Sequence, residues 1–209
     1  MVAAMNTTAP DARIFSLPAQ DGYPLKATHY PARGDGQGRL IVAGATGVPQ
    51  RFYSRFARFV AEQGIEVWTL DYRGIGLSRP QRLDELRMDY LDWARLDLSA
   101  LLDHVLQQGD GPVWMVGHSY GGHAFGLLPA HGRVQRFATF ATGAGWHGWM
   151  PPLERLRVRF MWHVLGPLIV RIKGPSTCHM KWTRRRSSGG IQPCQPAPVA
   201  KVAKRWTRS

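Results

Sequence analysis

Apolar positions along the chain fall into short runs with two alternating periods. Residues 13–17 and 25–30 flank the turn Gln20-Asp21-Gly22 and predict a β-hairpin. Residues 39–44 (R-L-I-V-A-G) are apolar without alternation, as expected of a strand covered on both faces of a parallel sheet. A small-residue loop, Ala45-Thr46-Gly47-Val48-Pro49, follows. Residues 51–63 predict a helix with Phe52, Phe56, Phe59 and Val60 on one face and Gly64 as its stop. Residues 65–70 predict the next strand, and the loop D-Y-R-G-I-G-L-S-R-P begins at Asp71. Residues 91–107 predict an amphipathic helix whose Leu91, Ala94, Leu98, Leu101, Leu102 and Val105 share a face. Residues 112–117 form a strand that runs directly into His118-Ser119-Tyr120-Gly121-Gly122 and a helix to about residue 128. Residues 134–141 predict a further strand, and residues 152–165 a helix with Leu153, Leu156, Phe160 and Val164 roughly aligned. Two strands followed by strand–helix repeats predict an α/β fold with a mostly parallel sheet and flanking helices. The crossovers of such a sheet are right-handed.

Composition changes this picture only at the C-terminus. The chain has 209 residues, 44% hydrophobic and 20% charged, which suits one globular domain. Its net charge of +13 points at first to nucleic acid or an anionic membrane. However, residues 171–209 hold ten basic residues and no acid, whereas residues 1–170 hold 17 basic and 14 acidic. Four of the five lysines and both cysteines, Cys178 and Cys194, lie in that last segment, which shows no sustained apolar period. Residues 173–209 are therefore expected to be a disordered basic tail behind a domain of residues 1–172. Three readings of this tail stand side by side: a tail that binds nucleic acid or acidic lipid, a solvated tail without a partner, and the product of a changed reading frame. Two cysteines imply no disulfide framework. The first ten residues show neither the basic nor the apolar region of a signal peptide, and no apolar run is long enough to span a membrane. A cytoplasmic location is the expectation.

The chemistry concentrates at Gly117-His118-Ser119-Tyr120-Gly121, a G-x-S-x-G between a strand and a helix. A serine at so sharp a turn needs small neighbours, because a Cβ there would collide with the adjacent strand or helix. The turn would lift Ser119 Oγ above the sheet edge and place the Tyr120 N–H where an oxyanion can form. With this elbow, the D-Y-R-G-I-G-L-S loop at residues 71–78 and the small-residue loop at residues 44–47, the chain resembles the α/β-hydrolase family. The resemblance is to the branch of monoacylglycerol-lipase-like and serine-aminopeptidase-like enzymes, and it covers about residues 13–170. Gly44 stands where family members often carry the His of H-G-x-G. The resemblance implies Ser119 as nucleophile, Gly117, His118 and Gly121 as the elbow, and the Tyr120 N–H with that of Thr46 or Ala45 as oxyanion donors. It implies a small-molecule ester or amide substrate and no cofactor. Asp71, Arg73 and the loop glycines read as a structural brace.

The family supplies its triad in the order Ser, acid, His. After Ser119 the chain has no aspartate and one glutamate, Glu154; five histidines follow, at 123, 131, 147, 163 and 179, none behind a convincing strand. The final strands of the sheet read as missing, as in a hydrolase cut off within or just after a lid that starts at about residue 143. An unpaired sheet edge and impaired activity are the consequences. His147 and Trp146 read as pocket residues, or as a loop histidine and a packing aromatic. Cys/His spacings for a metal and a phosphate-cradling G-x-x-x-x-G-K-[ST] are absent from the sequence. The competing function is a non-catalytic binding module whose basic tail contacts nucleic acid or an anionic membrane.

Overall fold

The computed structural model describes residues 11–83, 85–143 and 147–173. Six strands form one mixed sheet in the order β1-β2-β4-β3-β5-β6. The hairpin strands β1 (Arg13–Pro18) and β2 (Pro24–Tyr30) pair antiparallel in the register Arg13 to His29. β2 then pairs antiparallel with β4 (Glu66–Asp71). From there the sheet is parallel: β4 beside β3 (Arg39–Ala43), β3 beside β5 (Val113–His118), and β5 beside β6 (Arg136–Phe140). The continuously apolar β3 sits between two parallel partners, the position that removes a strand from water on both edges. Among the described residues, β6 is paired along one edge only.

Helices cover the two faces unequally. α1 (Ser54–Glu62) closes one face over a core of Tyr30, Val42, Tyr53, Ala57, Val60, Ala61 and Val67. The other face carries the larger core, beneath α2 (Ser99–Leu106) and the short α3 (Tyr120–Ala124). Ala94, Leu98, Leu101, Leu102 and Val105 are all fully buried there, as the amphipathic period predicts. Arg39, at the start of β3, ties the end of α2 to the sheet. Its guanidinium donates to the carbonyls of Val105 at 2.5 Å, Gly109 at 2.7 Å and Gly111. Val105 lies in the last turn of α2, and Gly109 and Gly111 lie in the loop that leads to β5, so one guanidinium gathers the helix end and the loop onto β3.

Three elements differ from the sequence expectation. In α1 and the 3-10 turn Gln50–Tyr53 ahead of it, the stripe of Phe52, Phe56 and Phe59 is exposed, and the small residues Ala57 and Ala61 face the sheet with Tyr53 and Val60. The helix packs closely because alanines let its backbone approach the strands, and no space remains for phenylalanine. The segment Trp93–Leu98 is wound in wide π-type turns ahead of α2, which turns Trp93 and Asp97 inward. The third difference is length. α4 (Pro152–Phe160) continues through π-type turns at Met161–Leu165 into α5 (Gly166–Lys173), an arm longer than expected and almost wholly exposed. Among the described residues no helix is long and apolar enough to cross a membrane. The expected disorder of residues 173–209 falls, Lys173 apart, outside the described residues.

Candidate active site

The elbow forms where β5 meets α3. Ser119 adopts φ 51° and ψ −108°, a conformation that costs a non-glycine residue about 1–3 kcal/mol. The surroundings hold it there. The Ser119 N–H donates to the Phe140 carbonyl at 3.1 Å, and the Ser119 carbonyl accepts the Gly122 N–H at 3.1 Å and Thr142 Oγ1 at 3.2 Å. The small residues on each side are sterically required. A Cβ on Gly117 would stand 2.5 Å from the Gly122 nitrogen, and one on Gly121 would overlap the Ala43 carbonyl of β3. The first turn of α3 is thus pressed against the sheet, and the serine is left at the C-terminal edge of the parallel strands.

His118 does not turn toward the serine. Its Nδ1 shares a hydrogen bond of 2.9 Å with the Tyr53 hydroxyl, and its ring stacks on Phe140 with centroids 4.9 Å apart. It packs on the α1 side of the sheet. The Tyr53 hydroxyl also accepts the Ala45 N–H at 2.8 Å. Of the two candidate amides on the loop after β3, Ala45 is therefore occupied. Among the described residues no hydrogen bond takes up the Thr46 N–H. Tyr120 is the first residue of α3, where a helix offers its N–H no internal acceptor.

Tyr90, which sequence reasoning did not single out, closes this corner. It shares a hydrogen bond of 2.5 Å with Thr46 Oγ1, and its carbonyl accepts the Tyr120 hydroxyl at 2.8 Å. Burial raises the Tyr90 phenol above its usual range, against the lowering effect of the bond to Thr46. Burial also pushes the Tyr120 phenol up strongly, so both rings stay neutral. The sequence holds no signal for it: residues 79–90 show no period that would place Tyr90 against Trp93 and Tyr120.

The loop after β4 is a brace. Asp71 is buried and accepts the Gln50 N–H at 2.7 Å and the Leu77 N–H at 2.9 Å. Arg73 is held by Asp97 on one side and by Asp21 on the other, at 2.8 Å from each of its Nε and Nη1 atoms. Burial pulls the guanidinium pKa down, but the two carboxylates outweigh it and the net direction is up. Trp93 Nε1–H caps the arrangement on the Arg73 carbonyl at 3.0 Å.

The other predicted groups lie apart from the serine. His123 and His163 are exposed, and His131 Nδ1 bonds the nearby Leu128 carbonyl at 2.8 Å. Glu154 pairs with Arg157 on the surface of α4 at 3.0 Å. His147 opens a single 3-10 turn, His147–Trp149, while Trp146 and His179 lie outside the described residues. Among the described residues no side chain hydrogen-bonds Ser119 Oγ, and no three His, Cys, Asp or Glu side chains gather as a metal site. Hollows of about 360 Å³ beside Gln20 and Asp103 and about 420 Å³ beside Tyr23 and Arg87 lie away from Ser119.

Comparison with known proteins agrees with this architecture. No curated protein matches the chain in sequence. Among solved structures, the chain is similar to a lidless α/β serine hydrolase from Xanthomonas campestris (22% identity, TM-score 0.54, covering 68% of this chain and 66% of that one). It is similar to a monoglyceride lipase from Saccharomyces cerevisiae (18%, 0.59, 80% and 54%). It is also similar to a thermostable carboxyl esterase from Bacillus coagulans (22%, 0.56, 97% and 66%). The chain spans about half to two thirds of the length of these structures. A family model described as serine aminopeptidase S33 matches residues 40–188, somewhat further toward the C-terminus than the motifs themselves reach. With the strand order, the elbow turn and this match together, the chain belongs to the serine aminopeptidase S33 family of α/β hydrolases.

Proposed function

We propose that the chain is a serine hydrolase that cleaves a small-molecule ester or amide through an acyl-enzyme on Ser119. The observation that carries this reading is the strained backbone of Ser119, held between β5 and α3 by glycines that tolerate no Cβ. Backbone strain of this kind persists where the surroundings over-determine it and function uses it. In the proposed step Ser119 Oγ bonds the carbonyl carbon, and the carbonyl oxygen gains negative charge facing the N–H groups of Tyr120 and Thr46. Collapse breaks the bond to the alcohol or amine, which leaves with the proton that Ser119 Oγ gave up, carried by solvent water; a second water then adds to the acyl-enzyme, releasing the acid and returning a proton to Ser119 Oγ. After Ser119 the sequence holds no aspartate and a single glutamate, Glu154, which pairs with Arg157 on the surface of α4; this supports impaired activity as part of the proposal. An oxyanion site alone retains an acceleration of about 10³–10⁴ over water. The catalytic body is assigned to residues 1–172, with residues 143–172 as the start of a lid.

A fluorophosphonate probe tests the reading. Slow labelling that disappears in Ser119→Ala is expected. Labelling indifferent to that substitution, or none at any dose, overturns Ser119 as nucleophile. Fast, stoichiometric labelling overturns the impairment.

A second reading, a non-catalytic module that contacts an anionic surface, is favoured by the arm. Trp149, Leu153, Leu156, Phe160 and Trp162 are all more than half exposed, and Arg157, Arg159 and Arg171 are exposed beside them. An exposed arm with apolar side chains and basic neighbours suits an anionic membrane surface, where apolar groups insert and cations meet the headgroups. Sedimentation with phosphatidylglycerol vesicles that weakens with salt supports this reading. Equal binding by a Phe160→Ser/Trp162→Ser variant counts against it.

A further inference from the structure

Tyr90 touches both residues whose amides form the proposed oxyanion hole, by two different atoms. Its hydroxyl reaches Thr46 on the loop after β3, and its carbonyl holds the hydroxyl of Tyr120, the residue after the serine. The Tyr90 ring stands edge-on to the Tyr120 ring with centroids 4.5 Å apart, and lies 5.3 Å from the ring of buried Trp93. Tyr90 is itself pinned by its neighbours. The Asp89 N–H donates to Asp92 Oδ2 at 2.6 Å, and the Leu91 N–H donates to Asp89 Oδ1 at 2.9 Å.

The loop it reaches has few other restraints. Gly47 takes φ 72°; among the described residues the backbone turn bond within the loop is Val48 N–H to the Ala45 carbonyl at 3.2 Å, and the Gly44 carbonyl accepts the Tyr72 hydroxyl at 3.5 Å. Tyr53 fixes the Ala45 amide, one residue too early to orient the Thr46 N–H. The Thr46 side chain is the remaining handle, and Tyr90 holds it. A peptide plane with a free φ/ψ pair on one side swings readily, and a donor off by about 1 Å loses most of its catalytic value.

We infer that Tyr90 is a positioning residue for the oxyanion hole, fixing the Thr46 amide against that of Tyr120. This inference rests on the Ser119 reading for its catalytic consequence, but the loop restraint is independent of it.

The experiment compares wild type, Tyr90→Phe, Thr46→Val and the double variant by fluorophosphonate labelling rate and by amide hydrogen exchange over residues 44–48. Tyr90→Phe keeps the ring and removes only the hydroxyl. Each single variant is expected to slow labelling about five- to tenfold, the weight of one net hydrogen bond, and to speed exchange in the loop while β3 stays protected. The double variant is expected to match either single one, because both delete the same bond. If Tyr90→Phe loosens β3 as well, Thr46→Val, which cuts that bond from the loop side, decides. Unchanged exchange in the loop, or additive losses in the double variant, overturns the inference. Absence of labelling in wild type overturns the Ser119 reading instead, and the exchange data still decide on Tyr90.

Discussion

The Tyr53 hydroxyl accepts the backbone N–H of Ala45 across the start of the loop that follows β3. The same oxygen bonds His118 Nδ1, so one phenol joins α1's leading turn, the loop and the elbow strand. Tyr53 is 5% exposed, and burial raises its pKa, against the smaller lowering effect of the Ala45 bond. Tyr53→Phe would leave a buried amide and an imidazole nitrogen without their partner. A loss of about 1–3 kcal/mol in urea unfolding is expected. A loss below about 0.5 kcal/mol would mean that water replaces the phenol and that the loop is not held from this side.

Gly121→Ala tests the close approach of α3 to β3. In an ordinary helix this substitution stabilises by up to about 1 kcal/mol. Here the added methyl meets the Ala43 carbonyl, which belongs to the central strand and cannot move alone. The expected outcome is a loss of more than about 2 kcal/mol, or failure to fold, measured by denaturation of the purified chain. Gly126→Ala, at a position where a Cβ has open space around it, serves as the control and is expected to be tolerated.

The elbow turn was legible because glycines at 117, 121 and 122, spaced around Ser119, have one steric explanation, and the strand before Ser119 and helix after it complete the context. The parallel core strands were legible for a similar reason, since burial on both faces leaves an unbroken apolar run. The buried face of α1 was not. Phe52, Phe56 and Phe59 form a helical stripe as regular as Tyr53, Ala57 and Ala61, and periodicity alone cannot choose between two such stripes. The choice was made by how closely the helix approaches the sheet, which favours alanine. Asp97 was missed for another reason. A carboxylate within a helical run reads as solvent-facing, and only the wide turns of Trp93–Leu98 bring it against Arg73. The role of Tyr90 depends on a loop without a period, where sequence spacing carries no geometry.

The Arg73–Asp97 pair yields a sharp prediction on stability. Both side chains are nearly inaccessible, and the guanidinium also bonds Asp21 at the surface. Asp97→Leu leaves a buried cation with only its outer partner, and a loss of about 3–5 kcal/mol is expected. Adding Arg73→Met to that variant should recover a substantial part of the loss, because the pair is replaced by apolar contacts. Asp21→Asn, at a half-exposed position, should cost about 1 kcal/mol or less. Urea titrations of the four chains measure these differences. Equal losses for Asp21→Asn and Asp97→Leu would show that the buried bond carries no special weight.

The last prediction concerns acid. His29 lies flat on Trp68 with centroids 3.8 Å apart, and His104 from α2 meets the same indole at 5.4 Å. Burial lowers the pKa of both histidines below the usual 6.5; for His29, Glu66 opposes the shift, whereas Arg13 and His104 add to it. A histidine whose folded pKa is depressed binds fewer protons folded than unfolded. Its contribution is therefore fully present above pH 6.5 and is lost as pH falls through 6.5 toward the folded value. Stability should decline as pH falls below 6.5, before the window of Asp21, whose bond to Arg73 holds its pKa below 3.8. Burial raises Asp97 despite its bonds to Arg73, so that group has the opposite slope, losing stability as pH rises above 3.8. The difference between wild type and a His29→Gln/His104→Gln variant cancels the aspartate contributions. Urea midpoints taken across this range should fall more steeply in wild type than in the variant. Parallel curves would mean that both imidazoles are solvated well enough to take their proton in the folded state.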